Sequence, residues 1–234
     1  MSIRDIYVND KYGSNNPNWH SEDSSWKANK IVRLLRRFGF VPSTVAEVGS
    51  GAGGVLVDVV SNISTSATGV GYEPSSLAYA TAQQRFGGSD RIAFVNDEFS
   101  ADDRFYDLVL VVDVLEHVEG CFDFARSLRS RGSNFIFHIP LELSAQTVFR
   151  SAPLLRSREL VGHIHYFNKD TALALLSDCG FEIIDWEYTD GSLELEPKSV
   201  LSRIFRFPRR LLYLINKDFA MRLVGGSSLL VFCR

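Results

Sequence analysis

Short runs of apolar residues alternate along the chain with longer segments in which apolar residues recur at helical spacing. The run YDLVLVV is continuous, which is typical of a strand that is buried on both faces of a sheet. Strands that alternate with helices predict a doubly wound α/β fold with a mostly parallel sheet. Seven strands are predicted, at residues 44–48, 67–72, 91–95, 106–112, 134–139, 181–188 and 228–233.

Helices are predicted between these strands, where apolar residues recur three or four positions apart. The first begins at Ser24 or Ser25, either of which can cap it, and runs to about Arg37. The last, Lys169–Cys179, is closed by Gly180, a residue type that favours the backbone conformation found after helix ends. The remaining predicted helices cover residues 55–61, 75–82 and 121–130.

The end of the chain departs from this alternation. Residues 181–188 and 228–233 are separated by an insertion, 189–226, without a crossover helix that joins them tightly. We therefore expect the two strands to be antiparallel neighbours, so that the last strand of the sheet is antiparallel and a helical insertion precedes it. A loop-rich segment at 140–168 is a second predicted insertion.

Composition is consistent with one domain of this class. The chain has 234 residues, 45% of them hydrophobic, and we expect an N-terminal arm or lid, 1–26, followed by one domain, 27–234. Its 25 basic and 28 acidic residues give a net charge of −3, which does not indicate a nucleic-acid-binding surface. Three widely spaced cysteines and a polar N-terminus favour a cytoplasmic protein, and we expect no transmembrane span.

The segment VAEVGSGAGG follows the first predicted strand and contains the glycine pattern G-x-G-x-x-G at Gly49, Gly51 and Gly54. In dinucleotide-binding proteins a pyrophosphate rests on such a loop and on the start of the following helix. Glu47 lies two residues before the first glycine, and its carboxylate would repel a pyrophosphate. We therefore expect this loop to hold a nucleoside that carries no phosphate.

Polar side chains also follow the next three strands, at the sheet edge where ligands bind in doubly wound folds. Glu73 comes 24 residues after the first glycine, where an acidic residue accepts hydrogen bonds from ribose hydroxyls. Asn96 and Asp97 follow the third strand, where an exocyclic amine would find an acceptor. The residues after the fourth strand are Asp113, Glu116 and His117. Four polar ends in succession indicate one ligand site.

Four segments together resemble class I S-adenosylmethionine-dependent methyltransferases: EVGSGAGG, GYEPS, NDE and YDLVLVVDVLEHV. The similarity is closest to the branch that contains the ubiquinone-biosynthesis O-methyltransferases, and GHIHYF, GFEIID and SLLVF also fit that branch. It covers roughly residues 27–188 and 227–233. The resemblance implies a Rossmann-like seven-stranded sheet, methyltransferase activity and S-adenosylmethionine as the cofactor.

The resemblance also implies which residues surround this cofactor. Glu73 would hold the ribose hydroxyls, and Asn96 and Asp97 would bracket the adenine. The backbone near Val112 and Asp113 would line the sulfonium, whose positive charge is stabilised by nearby carboxylates and aromatic faces. The residues that would border the methionine part are Glu47, Gly49, Ser50 and Gly51.

Methyl transfer to a hydroxyl group also requires a base, because the attacking oxygen must lose its proton. His117 is the first candidate because it lies in the D-x-x-E-H element. His163 and His165 are further catalytic candidates, and because they are two residues apart they share one face of an extended chain. His138 is predicted to end the fifth strand at the same rim, where it and Tyr166 would contact the substrate.

The same D-x-x-E-H element leaves a metal site open as an alternative. In some relatives an E-x-x-E-H element at this place binds a divalent metal that activates a catechol-like hydroxyl. Asp113, Glu116 and His117 would offer two oxygen ligands and one nitrogen ligand. Residues of this kind are also common at the start of a helix, and we favour that interpretation over a metal.

Two accessory segments carry further candidates. The N-terminal arm contains Trp19 and His20, which would reach the substrate if the arm covers the cofactor; alternatively, its tryptophans anchor the first helix. The segment 197–226 mixes arginines with large apolar residues. It is either a solvated helical insertion or a basic amphipathic surface, and residues 197–222 would then contact a membrane, an acidic substrate or a second subunit.

These observations together predict a methyltransferase that acts on a small molecule. O-methylation is favoured, and the acceptor candidates are a sugar, a glycan precursor or an isoprenoid-like compound. The sugar is suggested by the resemblance of WHSEDSSWK to methyltransferases of bacterial glycan pathways. The alternatives are an NAD-dependent oxidoreductase, which Glu47 disfavours, and a cofactor-binding subunit without catalytic activity. We expect a monomer or homodimer with no nucleic-acid partner.

Overall fold

The computed structural model describes residues 23–101, 103–195 and 209–234, and for residue 192 the backbone only. Its seven strands are β1 Thr44–Val48, β2 Thr68–Tyr72, β3 Ile92–Val95, β4 Leu108–Val112, β5 Phe135–Leu141, β6 Ile183–Thr189 and β7 Ser227–Cys233. They form one sheet in the order β3-β2-β1-β4-β5-β7-β6. Only β7 pairs antiparallel with its neighbours. The predicted fold class is therefore confirmed, including the antiparallel last strand.

Nine helices with defined bounds accompany the sheet in the described residues. They are α1 Ser24–Arg37, α2 Gly54–Ile63, α3 Ser76–Phe86, α4 Cys121–Leu128, α5 Ala145–Arg150, α6 Ala152–Val161, α7 Lys169–Asp178, α8 Gly191–Glu194 and α9 Lys217–Val224. Residues 209–215 are also helical. Short 3₁₀ turns occupy Phe99–Ala101, Leu115–His117 and Arg129–Arg131. The predicted helices are present, with ends that differ by a few residues.

Strand β4 is buried on both faces, as its continuous apolar run predicts. All five of its residues are buried, and they alternate between two cores. Val109 and Val111 belong to the core on one face of the sheet, whereas Leu108 and Leu110 belong to the core on the other. The strand begins two residues later than predicted, because Tyr106 forms only an isolated bridge, to Gly132. The sheet is therefore covered on both faces, and ligands have access at its ends.

The segment 140–168, predicted to be rich in loops, contains the helices α5 and α6. Ser144 begins α5 with a capping box, in which its hydroxyl accepts from the Thr147 amide and the Thr147 hydroxyl accepts from the Ser144 amide. Pro153 lies in the first turn of α6, a position that proline tolerates. The apolar pattern does not reveal these helices because most of their large apolar residues are exposed, namely Val148, Phe149, Leu155 and Leu160.

The described part of the insertion before the last strand is mostly helical. Its described part comprises α8, residues 209–215 and α9. At the other end of the chain, α1 begins at Ser24 with Asp23 as its N-cap, so the two serines lie inside the helix. Trp19 and His20 lie outside the described residues. In the described ranges, no helix has the length and apolar composition needed to cross a bilayer.

Candidate functional site

The glycine loop joins β1 to α2 at the carboxyl edge of the sheet. Gly51 and Gly53 adopt positive φ angles of 53° and 79°, a conformation that other residues rarely adopt. A Cβ atom on Gly53 would also lie 2.5 Å from the ring of Phe94. Gly54 begins α2, and a Cβ atom there would lie 2.8 Å from the Ser24 hydroxyl of α1. The glycines therefore permit both a tight loop and close packing of the two helices around it.

Glu73, which follows β2, closes this loop from the other side. One of its carboxylate oxygens accepts from the Gly51 amide and the other from the Ser75 amide, each at 2.8 Å. Burial raises the pKa of the Glu73 carboxyl, and these two hydrogen bonds lower it. Each carboxylate oxygen has two lone pairs, so both retain capacity to accept a hydroxyl of a ligand. The geometry is compatible with the predicted ribose contact.

Glu47 lies on β1 beneath the start of α2 and is 2% exposed. One of its carboxylate oxygens accepts a hydrogen bond of 3.0 Å from the Leu56 amide. That amide belongs to the first turn of α2, where a dinucleotide-binding protein would place the pyrophosphate. Burial raises the pKa of Glu47 to about 8. Glu47 therefore takes part of the anion-binding capacity of this helix end, which disfavours the NAD alternative.

The free energy of unfolding should fall as the pH rises from the ordinary pKa of Glu47 to its folded pKa. Because the folded pKa of about 8 exceeds the ordinary 4.5, its stabilising contribution is complete below 4.5 and is lost towards 8. We expect a flatter dependence of melting temperature on pH for Glu47→Gln, measured by circular dichroism. Glu182→Gln, at an exposed position, is the control. Identical curves for wild type and Glu47→Gln would exclude Glu47 as the responsible group.

Asn96 and Asp97 lie at the exposed end of β3. The Asn96 side-chain amide donates to the Glu73 carbonyl at 2.9 Å, and its oxygen accepts from the Ser76 hydroxyl at 2.9 Å. The Asp97 carboxylate accepts from the neighbouring Glu98 amide at 2.7 Å. Asn96 thus braces the turn that contains Glu73, while both side chains remain at the rim where adenine is predicted to bind.

Asp113 follows β4 and has a positive φ of 54°, which is uncommon for a residue other than glycine. Its backbone amide donates to the His138 carbonyl at 2.9 Å. Its carboxylate accepts from the Lys27 ammonium at 2.7 Å and contacts Nδ1 of His138 at 2.6 Å. Burial alone would raise the pKa of Asp113, but the Lys27 ammonium and the hydrogen-bonded His138 ring hold it well below its usual range. Asp113 is therefore a fixed negative charge beside the predicted sulfonium position.

His138 does not lie at the end of its strand, and that prediction is wrong. Strand β5 continues to Leu141, because its pairing with β7 extends from Phe135 to Leu141. The His138 side chain is 3% exposed, and its Nε2 lies 2.8 Å from the Thr189 hydroxyl while its Nδ1 contacts Asp113. Both ring nitrogens are engaged by protein groups, so His138 positions Asp113 instead of presenting a nitrogen to a substrate.

Four ionisable side chains converge next to Asp113, and we call them the acidic-histidine cluster: Glu116, His117, Glu142 and His163. Nδ1 of His163 lies 2.7 Å from a Glu142 carboxylate oxygen, and its Nε2 lies 3.9 Å from Glu116. The rings of His117 and His163 meet edge to face with their centroids 4.7 Å apart. The Ser157 hydroxyl donates a short hydrogen bond to Glu142.

Within this cluster, Glu116 is unusual because its carboxyl group is buried and forms no hydrogen bond with any residue that the structure describes. Its side chain is 1% exposed, and neither carboxylate oxygen has a hydrogen-bond partner among the described residues. Burial, reinforced by the negative charge of Asp113, raises its pKa well above the usual range. A buried polar group without a partner is costly in a folded protein and is characteristic of functional sites. Glu116 is therefore poised to interact with a ligand.

His163 and His165 do not share one face, contrary to the prediction. The amides of Ile164 and His165 both donate to the Glu116 carbonyl, at 2.8 and 3.1 Å. Consecutive amides of an extended strand point in opposite directions, so this segment is bent and not extended. His163 consequently enters the cluster, whereas Nε2 of His165 binds the Val118 carbonyl at 2.8 Å.

Tyr166, the other predicted substrate contact in this segment, binds the protein itself. Its hydroxyl donates to the Leu154 carbonyl of α6 at 2.9 Å. Burial raises the pKa of the Tyr166 hydroxyl. The bond therefore ties the segment that carries His163 and His165 to helix α6.

The structure changes the composition of the possible metal site. Glu116, His117 and His163 each offer one ligand atom, and these atoms lie within 4.8 Å of one another. Asp113 is instead bound to Lys27 and His138. Two imidazoles and one carboxylate form a ligand set that suits divalent transition metals.

Several residues of the site were missed by the sequence interpretation. Glu142 follows β5 at the same edge as the other polar ends, so the rule applied to four strands would have identified it at the fifth. Lys27 comes from α1, and the sequence gives no signal that this helix crosses the sheet edge. Trp26 of the same helix donates to Glu194 at 2.9 Å and meets the His138 ring edge to face. Helix α1 thus forms one wall of the site.

The chain is similar to known methyltransferases in sequence profile and in fold. The profile of the methyltransferase domain family matches residues 19–185. Magnesium protoporphyrin IX methyltransferase from Synechocystis PCC 6803 with bound SAH has a TM-score of 0.60 and 19% identity, over 90% of this chain and 83% of that chain. A chain of the complex between the Haloferax volcanii Trm112 methyltransferase activator and a methyltransferase has a TM-score of 0.65 and 15% identity, over 99% of this chain and 96% of that chain. The cyclopropane synthase MmaA2 from Mycobacterium tuberculosis has a TM-score of 0.59 and 13% identity, over 100% of this chain and 98% of that chain. No curated protein matches by sequence.

Proposed function

The chain belongs to the methyltransferase domain family as an S-adenosylmethionine-dependent enzyme, and from this premise we propose that it methylates a hydroxyl group of a small molecule. The observation that supports a hydroxyl acceptor is the acidic-histidine cluster beside Asp113, because hydroxyl methylation requires a base within hydrogen-bond reach of the acceptor. The resemblance of D-x-x-L-E-H-V to the ubiquinone-biosynthesis O-methyltransferases supports the same acceptor class.

The cofactor is proposed to lie across the carboxyl ends of β1 to β4. Glu73 receives the ribose hydroxyls, and Asn96 with Asp97 flanks the adenine. The glycine loop, with Glu47, Gly49, Ser50 and Gly51, borders the methionine part. The backbone of Val112 and Asp113 lies beside the sulfonium, where the fixed charge of Asp113 is complementary to the positive sulfur.

His163, in place of the first candidate His117, is proposed as the general base, because Nδ1 of His163 is held by a carboxylate whereas Nδ1 of His117 lies 3.4 Å from the Gly162 carbonyl. Nδ1 of His163 is held by Glu142 at 2.7 Å, which orients the ring and directs Nε2 towards Glu116. Nε2 would take the proton of the acceptor hydroxyl and pass it to solvent. When bound, S-adenosylmethionine would supply the methyl group for a methyl ether and would leave as S-adenosylhomocysteine. Holding the two reactants in line supplies much of the rate enhancement.

The neighbouring histidines receive supporting roles in this proposal. His117 lies edge to face with His163 and is proposed to orient the acceptor hydroxyl. His165, whose Nε2 binds the Val118 carbonyl, is proposed to hold the segment in place instead of reacting.

Glu116 favours a second arrangement of the same cluster, because neither of its carboxylate oxygens has a hydrogen-bond partner in the part of the chain that the structure describes. Glu116, His117 and His163 would then hold a divalent cation, which when bound would lower the pKa of the acceptor hydroxyl. Under this arrangement, Mn²⁺ or Zn²⁺ should raise the melting temperature of the wild type and not that of Glu116→Gln. Activity that survives EDTA, with no melting shift, would favour the metal-free base.

Glu73→Ala should raise the dissociation constant for S-adenosylmethionine about 10- to 100-fold, because the ribose loses its carboxylate acceptor. Titration calorimetry measures this directly. Glu182→Ala, at an exposed position outside the proposed cofactor site, is the matched control and should bind normally. Unchanged affinity of a folded Glu73→Ala protein would contradict the ribose assignment.

The acceptor class is tested by a transfer assay with methyl-labelled S-adenosylmethionine and a panel of small hydroxyl compounds. Nucleotide sugars and isoprenoid-like phenols belong in the panel, together with amine and carboxylate analogues of the same compounds. Label transfer to hydroxyl compounds, lost in His163→Ala, is the expected result. Transfer only to amines or carboxylates would overturn the proposal.

A further inference from the structure

Exposed apolar side chains are concentrated on one group of helices. Nine of the fourteen large apolar side chains that are exposed in the described residues lie on α5, α6, residues 209–215 or α9. Phe149 is 91% exposed, Leu214 77% and Phe219 57%. Exposed apolar side chains gathered on a few neighbouring helices commonly mark an interaction site.

These helices are joined to one another, and we call them together the helical surface. Gln146 of α5 donates to the Val224 carbonyl of α9 at 3.5 Å. Arg209, at the start of residues 209–215, donates to the same carbonyl at 3.3 Å. Two stretches separated in sequence by the whole of α7 and β6 are thereby brought side by side.

The helical surface is positively charged, although the chain as a whole has a net charge of −3. Its cationic residues are Arg150, Arg156, Arg158, Arg209, Arg210, Lys217 and Arg222, and its acidic residues are Glu159 and Asp218. Arg150, Arg156 and Arg210 are exposed. Cationic and apolar side chains thus occur together on the same short helices.

We propose that the helical surface docks onto an anionic lipid bilayer. Short helices with exposed Phe and Leu beside arginines match the composition that lies in a membrane interface, where apolar side chains enter the acyl boundary and cations meet anionic headgroups. A second copy of this chain is disfavoured as the binding partner, because two such surfaces would place positive charges against each other. The proposal goes beyond methyl transfer and does not depend on it.

The helical surface also adjoins the acidic-histidine cluster. Ser157 of α6 donates to Glu142, and the Tyr166 hydroxyl binds the Leu154 carbonyl of α6. Docking would therefore hold the acceptor end of the site next to the bilayer. This consequence, unlike the docking itself, rests on the proposed function.

Vesicle co-sedimentation of the full chain tests the proposal. Vesicles of phosphatidylcholine alone are compared with vesicles that contain one quarter phosphatidylglycerol, at low and high salt. We expect sedimentation with the anionic vesicles at low salt, weakening as salt screens the charges. Equal binding to both vesicle types, or no binding to either, would overturn the proposal.

Two variants and their controls locate the contact. Arg150→Gln, Arg156→Gln and Arg210→Gln combined should lower the partition coefficient about a hundredfold, at about fivefold for each arginine. Phe149→Ser, Leu214→Ser and Phe219→Ser combined should also reduce binding strongly. Arg85→Gln and Phe105→Ser, at exposed positions elsewhere, should bind as the wild type.

Two further outcomes would also count against the proposal. If the control variants lose as much binding as the others, the helical surface is not the contact. If light scattering shows a dimer, and the combined Phe149→Ser, Leu214→Ser and Phe219→Ser variant is a monomer, the helical surface binds a second copy of the chain instead of a bilayer. Since every substitution is at an exposed position, unchanged melting curves will show that the variants are folded.

Discussion

Replacing His163 with alanine is expected to lower turnover by about 10²- to 10⁴-fold while leaving S-adenosylmethionine affinity unchanged. That range is the usual contribution of a positioned general base. Nε2 of His163 faces Glu116 in the cluster, and its Nδ1 is held by the Glu142 carboxylate. The measurement is kcat with an acceptor from the transfer assay, together with calorimetric titration of the cofactor.

Two companion variants separate catalysis from structure. Glu142→Gln keeps the shape of the side chain but removes the charge that orients His163, so it should lose less turnover than His163→Ala. His165→Ala removes a ring that is bound to the Val118 carbonyl, and it should retain most of the turnover. If His163→Ala is fully active, or His165→Ala is equally inactive, His163 is not the base.

Asp113→Asn is expected to lower the free energy of unfolding by about 1–3 kcal/mol, the usual cost of leaving buried polar groups without their partner, since the Asp113 side chain itself is 29% exposed. The change leaves the Lys27 ammonium and the His138 ring, which are 13% and 3% exposed, without their anionic partner. Asparagine tolerates the positive φ of this position, so backbone strain does not explain a loss. Urea unfolding measures the effect.

The pH dependence of the same variant provides an independent check. Because the folded pKa of Asp113 lies below its ordinary 3.8, its stabilising contribution is complete above 3.8 and is lost as the pH falls through the folded value. Wild type and Asp113→Asn should therefore converge in acid. Asp123→Asn, with a side chain that is 92% exposed, should change stability by less than about 0.5 kcal/mol. A loss below about 1 kcal/mol for Asp113→Asn would contradict the account.

The sheet was predictable because its strands obey a local rule. An apolar run of about five residues that is followed by a polar residue is visible in the sequence. Each of the strands β1 to β5 has such a polar residue at or near its carboxyl end, where the candidate site lies. The helices α5 and α6 escaped prediction because Phe149, Leu155 and their neighbours are exposed, so no apolar stripe faces a core. Apolar periodicity in a sequence indicates a helix that buries one face against a core. Helices α5 and α6 do not bury such a face, and α5 is stabilised by its capping box and by neighbouring segments.

The candidate site was predictable only where it is built from strand ends. Glu47, Glu73 and Asp113 lie where the order of strands places them. His163 lies in a bent loop and Lys27 lies in the first helix. Their positions in the site depend on long-range packing, which cannot be predicted from spacing in the sequence. The error for His138 has the same origin, since the pairing of β5 with the distant β7 sets where that strand ends.

The central claim is that the glycine loop and Glu73 bind S-adenosylmethionine. Titration calorimetry of the full chain with S-adenosylmethionine, S-adenosylhomocysteine and NAD tests it most directly, supported by melting curves in which a ligand at about 100 times its dissociation constant adds about 2.7 kcal/mol. The account predicts binding of both adenosyl sulfur ligands and no binding of NAD. Binding of NAD alone, or of none of the three, would contradict it.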